Sequence, residues 1–146
     1  MRMTLGLAAA VVAIAATTVA HAQEEVIKAR KAIMQVNQQA AAIAFKMAEG
    51  EIPYDPAIAA AALSAISHDN EIFPTFFPDG SDTGDTKANP AIWQDKAAFV
   101  ALSVKMVADA KIAAEAASTL EGLQAKIEAV GQNCAACHKQ FRLQSP

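Results

Sequence analysis

The sequence predicts an all-α protein, an antiparallel four-helix bundle. Three observations carry that expectation. Four long segments repeat their apolar residues at helical spacing, and no stretch alternates as a strand does. Alanine recurs in all four segments, and small side chains let helix axes approach closely. No repeat array interrupts the pattern.

Residues 1–22 stand apart from the bundle. Arg2 supplies a positive start, Leu5 to Ala16 is an unbroken small and apolar run, and Ala20-His21-Ala22 forms a small-x-small cleavage site. The run is shorter than the roughly 20 residues that a spanning helix needs. Residues 1–22 are therefore expected to be a cleaved signal peptide and residues 23–146 the bundle domain. The expected destination is the periplasm, with no membrane attachment after cleavage. Loss of Arg2 takes the formal charge of −3 one unit further negative. A mildly acidic surface argues against nucleic acid as a partner.

The first helix is expected from about Glu25 to Glu49. Val26, Ile33, Ala40 and Met47 recur every seven residues, with Ile27, Met34, Ala41 and Ala48 beside them; Gly50 and Pro53 stop the helix. The second starts at Pro56 behind the N-cap Asp55, buries Ala59, Leu63, Ile66 and Phe73, and ends at Pro74. Residues 74–90 form a long connection whose run Pro78 to Asp85 is turn chemistry throughout. The third helix is expected as one piece from about Pro90 to Ala117, burying Trp93, Ala97, Val100, Val104 and Val107. Ser118 and Glu121 read as a capping box for the fourth. That helix has the cleanest stripe in the chain: Leu120, Leu123, Ile127, Val130, Cys134, Cys137 and Phe141.

The chemistry lies at the end of this stripe. Cys134-Ala135-Ala136-Cys137-His138 is a C-x-x-C-H motif, the pattern of covalent haem c attachment. On a helix, positions i, i+3 and i+4 share one face. Two thiols placed so can each add to a vinyl group of one porphyrin, leaving the imidazole of His138 as the axial iron ligand. Because both cysteines continue the core stripe, the haem is expected inside the bundle core. Gly131, seven residues before His138, would let a flat porphyrin lie against the helix. A thioredoxin-like C-x-x-C needs a βαβ setting, and a structural zinc site needs four ligands where this cluster offers three. No catalytic carboxylate pair, nucleophile–base set or second metal cluster appears, so an enzyme is not expected.

Attachment near the C-terminus, on the fourth helix of a bundle, resembles the class II c-type cytochromes, and the cytochrome c′ family in particular. The resemblance runs through Val26 to Met34, Gly50-Glu51, Phe77-Pro78, Thr86 to Trp93, and Cys134 to His138 followed by Phe141-Arg142. It implies that Arg30 pairs with a haem propionate and that Lys31 belongs to the same cofactor-binding set. Thr86 and Lys87 match loop residues that approach the haem, although the family often has an acidic residue where Lys87 stands. Arg142 matches the basic residue on the proximal side. Met34 matches the residue facing the sixth coordination position.

Met34 permits two outcomes. The resemblance implies an apolar, unligated distal side and five-coordinate iron that binds NO and CO. In low-spin relatives of the same fold, a methionine here ligates the iron and gives an electron carrier. The run from Arg30 to Ile33 looks more like the first class. Redox partner proteins, electron transfer and a homodimer packed through the first and second helices are also implied.

Overall fold

In the computed structural model the backbone is described for residues 5–144 and the side chains for residues 21–144. The helices are α1 (Leu5–Glu49), α2 (Pro56–Ile72), α3 (Ala91–Gln94), α4 (Lys96–Ala116) and α5 (Leu120–Phe141). The four long ones form the expected bundle, with α1 and α4 each packed between α2 and α5. Ser67 Oγ on α2 donates to the Val107 carbonyl on α4 at 3.3 Å, and Ser103 Oγ on α4 donates to the Asn70 carbonyl at 2.7 Å. Numbers rise on one helix as they fall on the other, so the pair is antiparallel. Gln124 Nε2 near the start of α5 likewise reaches the Ala48 carbonyl near the end of α1, at 2.7 Å.

The stop and start signals mostly act as their chemistry dictates. Gly50, with φ 77°, closes α1. Its N–H donates to the Met47 carbonyl at 3.2 Å and the next, from Glu51, to Lys46 at 2.9 Å. These two bonds satisfy terminal carbonyls in a Schellman turn, which needs the left-handed backbone that glycine adopts without strain. Asp55 caps α2 by accepting from the Ala57 and Ile58 amides, with Pro56 at the first helical position. Three expectations need correction. The N-cap of α5 is Thr119, not Ser118; its hydroxyl accepts from Gly122 N–H at 3.1 Å. The third helix is not one piece. It breaks at Asp95, whose extended φ of −134° ends α3 and whose carboxylate accepts from Ala98 N–H to start α4. Finally, α1 does not begin at Glu25 but runs continuously from Leu5. Arg2, the charged start of the expected signal peptide, lies outside the described residues.

The core has two parts. One, around Leu63, Ile66, Leu123, Ile127 and Val130, includes Ala44, Ala59, Ala110, Ala113 and Ala117, all with no exposed surface, so the helices meet backbone to backbone. The other is aromatic, built from Phe73, Phe77, Phe99 and Phe141 with Ile92. Phe99 meets Phe77 edge-on at 4.8 Å and Phe141 at 5.3 Å between ring centroids. The expected stripes of α2 and α5 face these cores, but that of the third helix does so only in part, Trp93 packing on the aromatic cluster. Val100 and Val104 are exposed, and the buried face of α4 is instead Phe99, Ser103, Met106, Ala110 and Ala113.

Candidate haem-attachment site

The C-x-x-C-H motif occupies the last turns of α5, at the end of the bundle where α1 emerges beside the long loop. Helical spacing keeps both cysteines on the inner stripe, and both are partly buried free thiols. Cys134 borders the alanine-rich core and Cys137 the aromatic one, so together they span the seam between the two. Burial raises both thiol pKa values, that of Cys137 to about 11 with Cys134 adding a smaller push. Surroundings that oppose a thiolate cost a neutral thioether nothing, so this setting suits covalent attachment. His138 follows on the exposed flank. Partial burial pushes its pKa down, and the charge of Arg142 pushes the same way. A neutral imidazole is the form that ligates iron.

The loop closes over this end. Ala88 and Arg142 form an isolated antiparallel bridge, Asn89 N–H donates to the Phe141 carbonyl at 3.0 Å, and Leu143 N–H donates to the Lys87 carbonyl at 2.8 Å. Backbone pairing thus brings Lys87 and Arg142 together beside His138. Thr86 turns the loop into this pairing. Its N–H donates to the Gly84 carbonyl at 2.8 Å and its Oγ1 accepts from Ala88 N–H at 3.1 Å.

Across the seam lies α1. Met34 packs against the aromatic cluster that Cys137 also borders, and Ala41 against the core that Cys134 borders. Between them on the same face stands Asn37, whose amide nitrogen and oxygen are both buried without a hydrogen-bond partner. No sequence signal marked it. A buried carboxamide with both atoms orphaned, between residues that border the same cores as the two cysteines, fits a further group held at this seam.

Arg30 and Lys31 have partners in the long loop. Arg30 is 5% exposed. Its Nε donates to the Phe76 carbonyl at 2.6 Å, and its terminal nitrogens donate to the carbonyl and the hydroxyl of Ser81. The guanidinium lies 4.2 Å from the centre of the Phe77 ring and 5.5 Å from that of Trp93. Lys31 Nζ pairs with Asp85 at 2.5 Å on the outer side of the loop. Both residues hold the loop that covers the site. Gly131 differs from expectation. The ring of Phe45, on α1, fills the space in front of it. Among the described residues, no group of three or more His, Cys, Asp or Glu side chains could hold a metal ion by itself, and His68 stands on α2 beside Glu71.

The family model described as Cytochrome C' matches residues 25–142. The cytochrome c' of Rhodopseudomonas palustris is 40% identical over 122 residues, which cover 83% of this chain and 84% of that protein. Its solved structure superposes with a TM-score of 0.79, at 38% identity, over 83% of this chain and 98% of that one. Cytochrome c-556 of Agrobacterium tumefaciens is 36% identical over 120 residues, 82% of this chain and 97% of that protein. A nitric oxide complex of a mutant cytochrome c prime from Alcaligenes xylosoxidans matches with a TM-score of 0.75 at 25% identity, over 84% of this chain and 97% of that one. The matched span takes in the bundle, the loop and the attachment motif together, and the chain belongs to the cytochrome c′ family, whose single covalent haem c attaches here through Cys134 and Cys137.

Proposed function

We propose that the mature protein is a periplasmic mono-haem cytochrome in which His138 is the protein ligand to iron and the Met34 side holds an open sixth position that binds NO or CO. One observation carries this reading. Met34 on α1 and Cys137 on α5 border the same aromatic cluster, so a group attached at Cys137 would have Met34 as a near neighbour. When bound, the haem supplies an iron centre that takes a diatomic ligand and can exchange an electron. The chain supplies the rest. Cys134 and Cys137 fix the group at two points of one helix face, which sets its orientation before any ligand arrives. Arg142 beside His138 favours the neutral imidazole. Met34 sits where an unbranched, adaptable side chain crowds the open face without closing it. The nitric oxide complex of the Alcaligenes relative supports gas binding.

Residues 1–22 act in this reading as a secretory signal cut after Ala22, with Gln23 the first mature residue. Electron exchange with redox partner proteins accompanies ligand binding, and two copies pair through α1 and α2. The absorption spectrum of the ferric holoprotein tests the central point. A high-spin spectrum that Met34→Ala leaves nearly unchanged is expected. A low-spin spectrum that turns high-spin on that substitution would mean that Met34 ligates the iron and that the protein is an electron carrier.

A further inference from the structure

We propose that Asn37 is a hydrogen-bond donor of the ligand-binding face, placed to reach a diatomic bound at the sixth position of the iron. The proposal rests on the open-site reading above.

Helix geometry places the residue. Arg30, Met34, Asn37 and Ala41 follow one another at steps of four, three and four, so they form one stripe along α1. The ends of the stripe are fixed by contacts. Arg30 anchors the loop, Met34 lies on the cluster that takes Cys137, and Ala41 lies on the core that takes Cys134. Asn37 therefore faces the seam that the two cysteines span from the opposite helix.

Its chemistry is unspent. Both carboxamide atoms are out of water and neither has a partner. Other buried carboxamides are at least partly employed. Asn70 Nδ2 donates to the Ile66 carbonyl at 2.8 Å, and Asn133 Nδ2 lies 3.4 Å from both the Leu102 carbonyl and an Asp109 oxygen, although its Oδ1 has no partner. A buried amide with no partner destabilises a fold, and leucine, of the same branched shape though larger, would carry no such unpaired polar group. A role in the slot accounts for a polar residue there. The family resemblance implies an apolar distal side, and Asn37 departs from it. An amide N–H aimed at the sixth position would stabilise a bound diatomic carrying partial negative charge, where Met34 can act only by bulk.

The test uses the haem-loaded protein, reduced and saturated with carbon monoxide, as wild type and as Asn37→Leu. The C–O stretch, read by infrared spectroscopy, is expected to move to higher wavenumber in the variant, and carbon monoxide to leave roughly two- to five-fold faster. Asn37→Met serves in the same way should the leucine variant fail to retain haem. A second readout needs no substitution. Transfer of the wild-type adduct from water to heavy water exchanges the amide protons and is expected to shift the iron–ligand mode. An adduct whose stretch and dissociation rate are identical in wild type and variant, with no heavy-water shift, overturns the role of Asn37 alone. Failure of the reduced wild type to bind carbon monoxide overturns the open-site reading, and the role of Asn37 with it.

Discussion

A Cβ atom on Gly131 of α5 would lie 2.9 Å from Cζ of Phe45 on α1. The glycine is what lets the two helices close around an aromatic ring three residues before Cys134. Gly131→Ala gains up to about 1 kcal/mol of helix propensity. It also forces the ring away from a packed position, at a cost of about 1–3 kcal/mol. The expected result is a net loss on the order of 1 kcal/mol in thermal or urea unfolding of the holoprotein. Phe45→Ala should erase the penalty of the alanine, so the two substitutions couple strongly in a double-mutant cycle. Additive effects would show that the contact is not what constrains residue 131.

Arg30 ties α1 to the loop through Phe76 and Ser81 while stacked over Phe77. Arg30→Ala leaves those acceptors without their buried donor and should cost about 3 kcal/mol. Arg30→Lys should recover little, because one ammonium group cannot serve acceptors that a planar fork reaches together. The loop should become sensitive to proteases between Pro78 and Lys87 before the bundle unfolds. Cleavage at the wild-type rate in both variants would show that the loop is held by its other contacts.

These two sites mark the boundary of what the sequence reveals. The α5 stripe was legible because large apolar residues recur without interruption and polar ones fill the opposite face, and the attachment motif rides on that stripe. The buried face of α4 was not. Valine and alanine occur all round it, so the periodicity fits more than one face, and the burial of Ser103 depends on a carbonyl of α2 that no local pattern announces. Glycine at residue 131 signalled a close approach but not that Phe45 makes it. The partners of Arg30 lie 46 and 51 positions away, beyond any local pattern. Asn37 is a polar residue between Met34 and Ala41, and only the surrounding packing shows that it lacks a partner.

Asp69 gives the stability a pH dependence of definite sign. Burial raises its carboxyl pKa above the ordinary 3.8, against a smaller opposing pull from His68, and Oδ2 has no partner. The folded state therefore holds this proton more tightly than the unfolded chain. Its effect on stability is most favourable below pH 3.8 and is lost as pH rises through the raised folded value. Asp85 acts oppositely. A hydrogen bond and the charge of Lys31 hold its carboxyl down, so its support is present above pH 3.8 and fades in acid. Asp69→Asn removes the first effect only. Urea titrations should show the variant gaining on the wild type as pH rises above 3.8, until the wild-type carboxyl is ionised in the folded state. An equal difference at all pH values would mean that the Asp69 carboxyl is not strained by burial.

The proposed pairing of two copies makes the last prediction. Val36 and Ile43 are seven residues apart on the outer face of α1, 48% and 38% exposed, and Ile58 at the start of α2 is 49% exposed. The face of α4 is no less apolar, with Val104 63% and Ile112 51% exposed, so exposure alone does not choose between the two. Substitution does. A two-fold interface meets each change twice, and a carboxylate placed in a desolvated contact costs several kcal/mol. Val36→Asp and Ile43→Asp should each convert the holoprotein to monomer in sedimentation at micromolar concentration. Val104→Asp should leave the dimer intact. The opposite pattern would move the interface to α4, and a monomeric wild type would remove the pairing altogether. The haem spectrum should be the same in all of these variants, since each substituted side chain is exposed and the attachment residues lie on the inner stripe of α5.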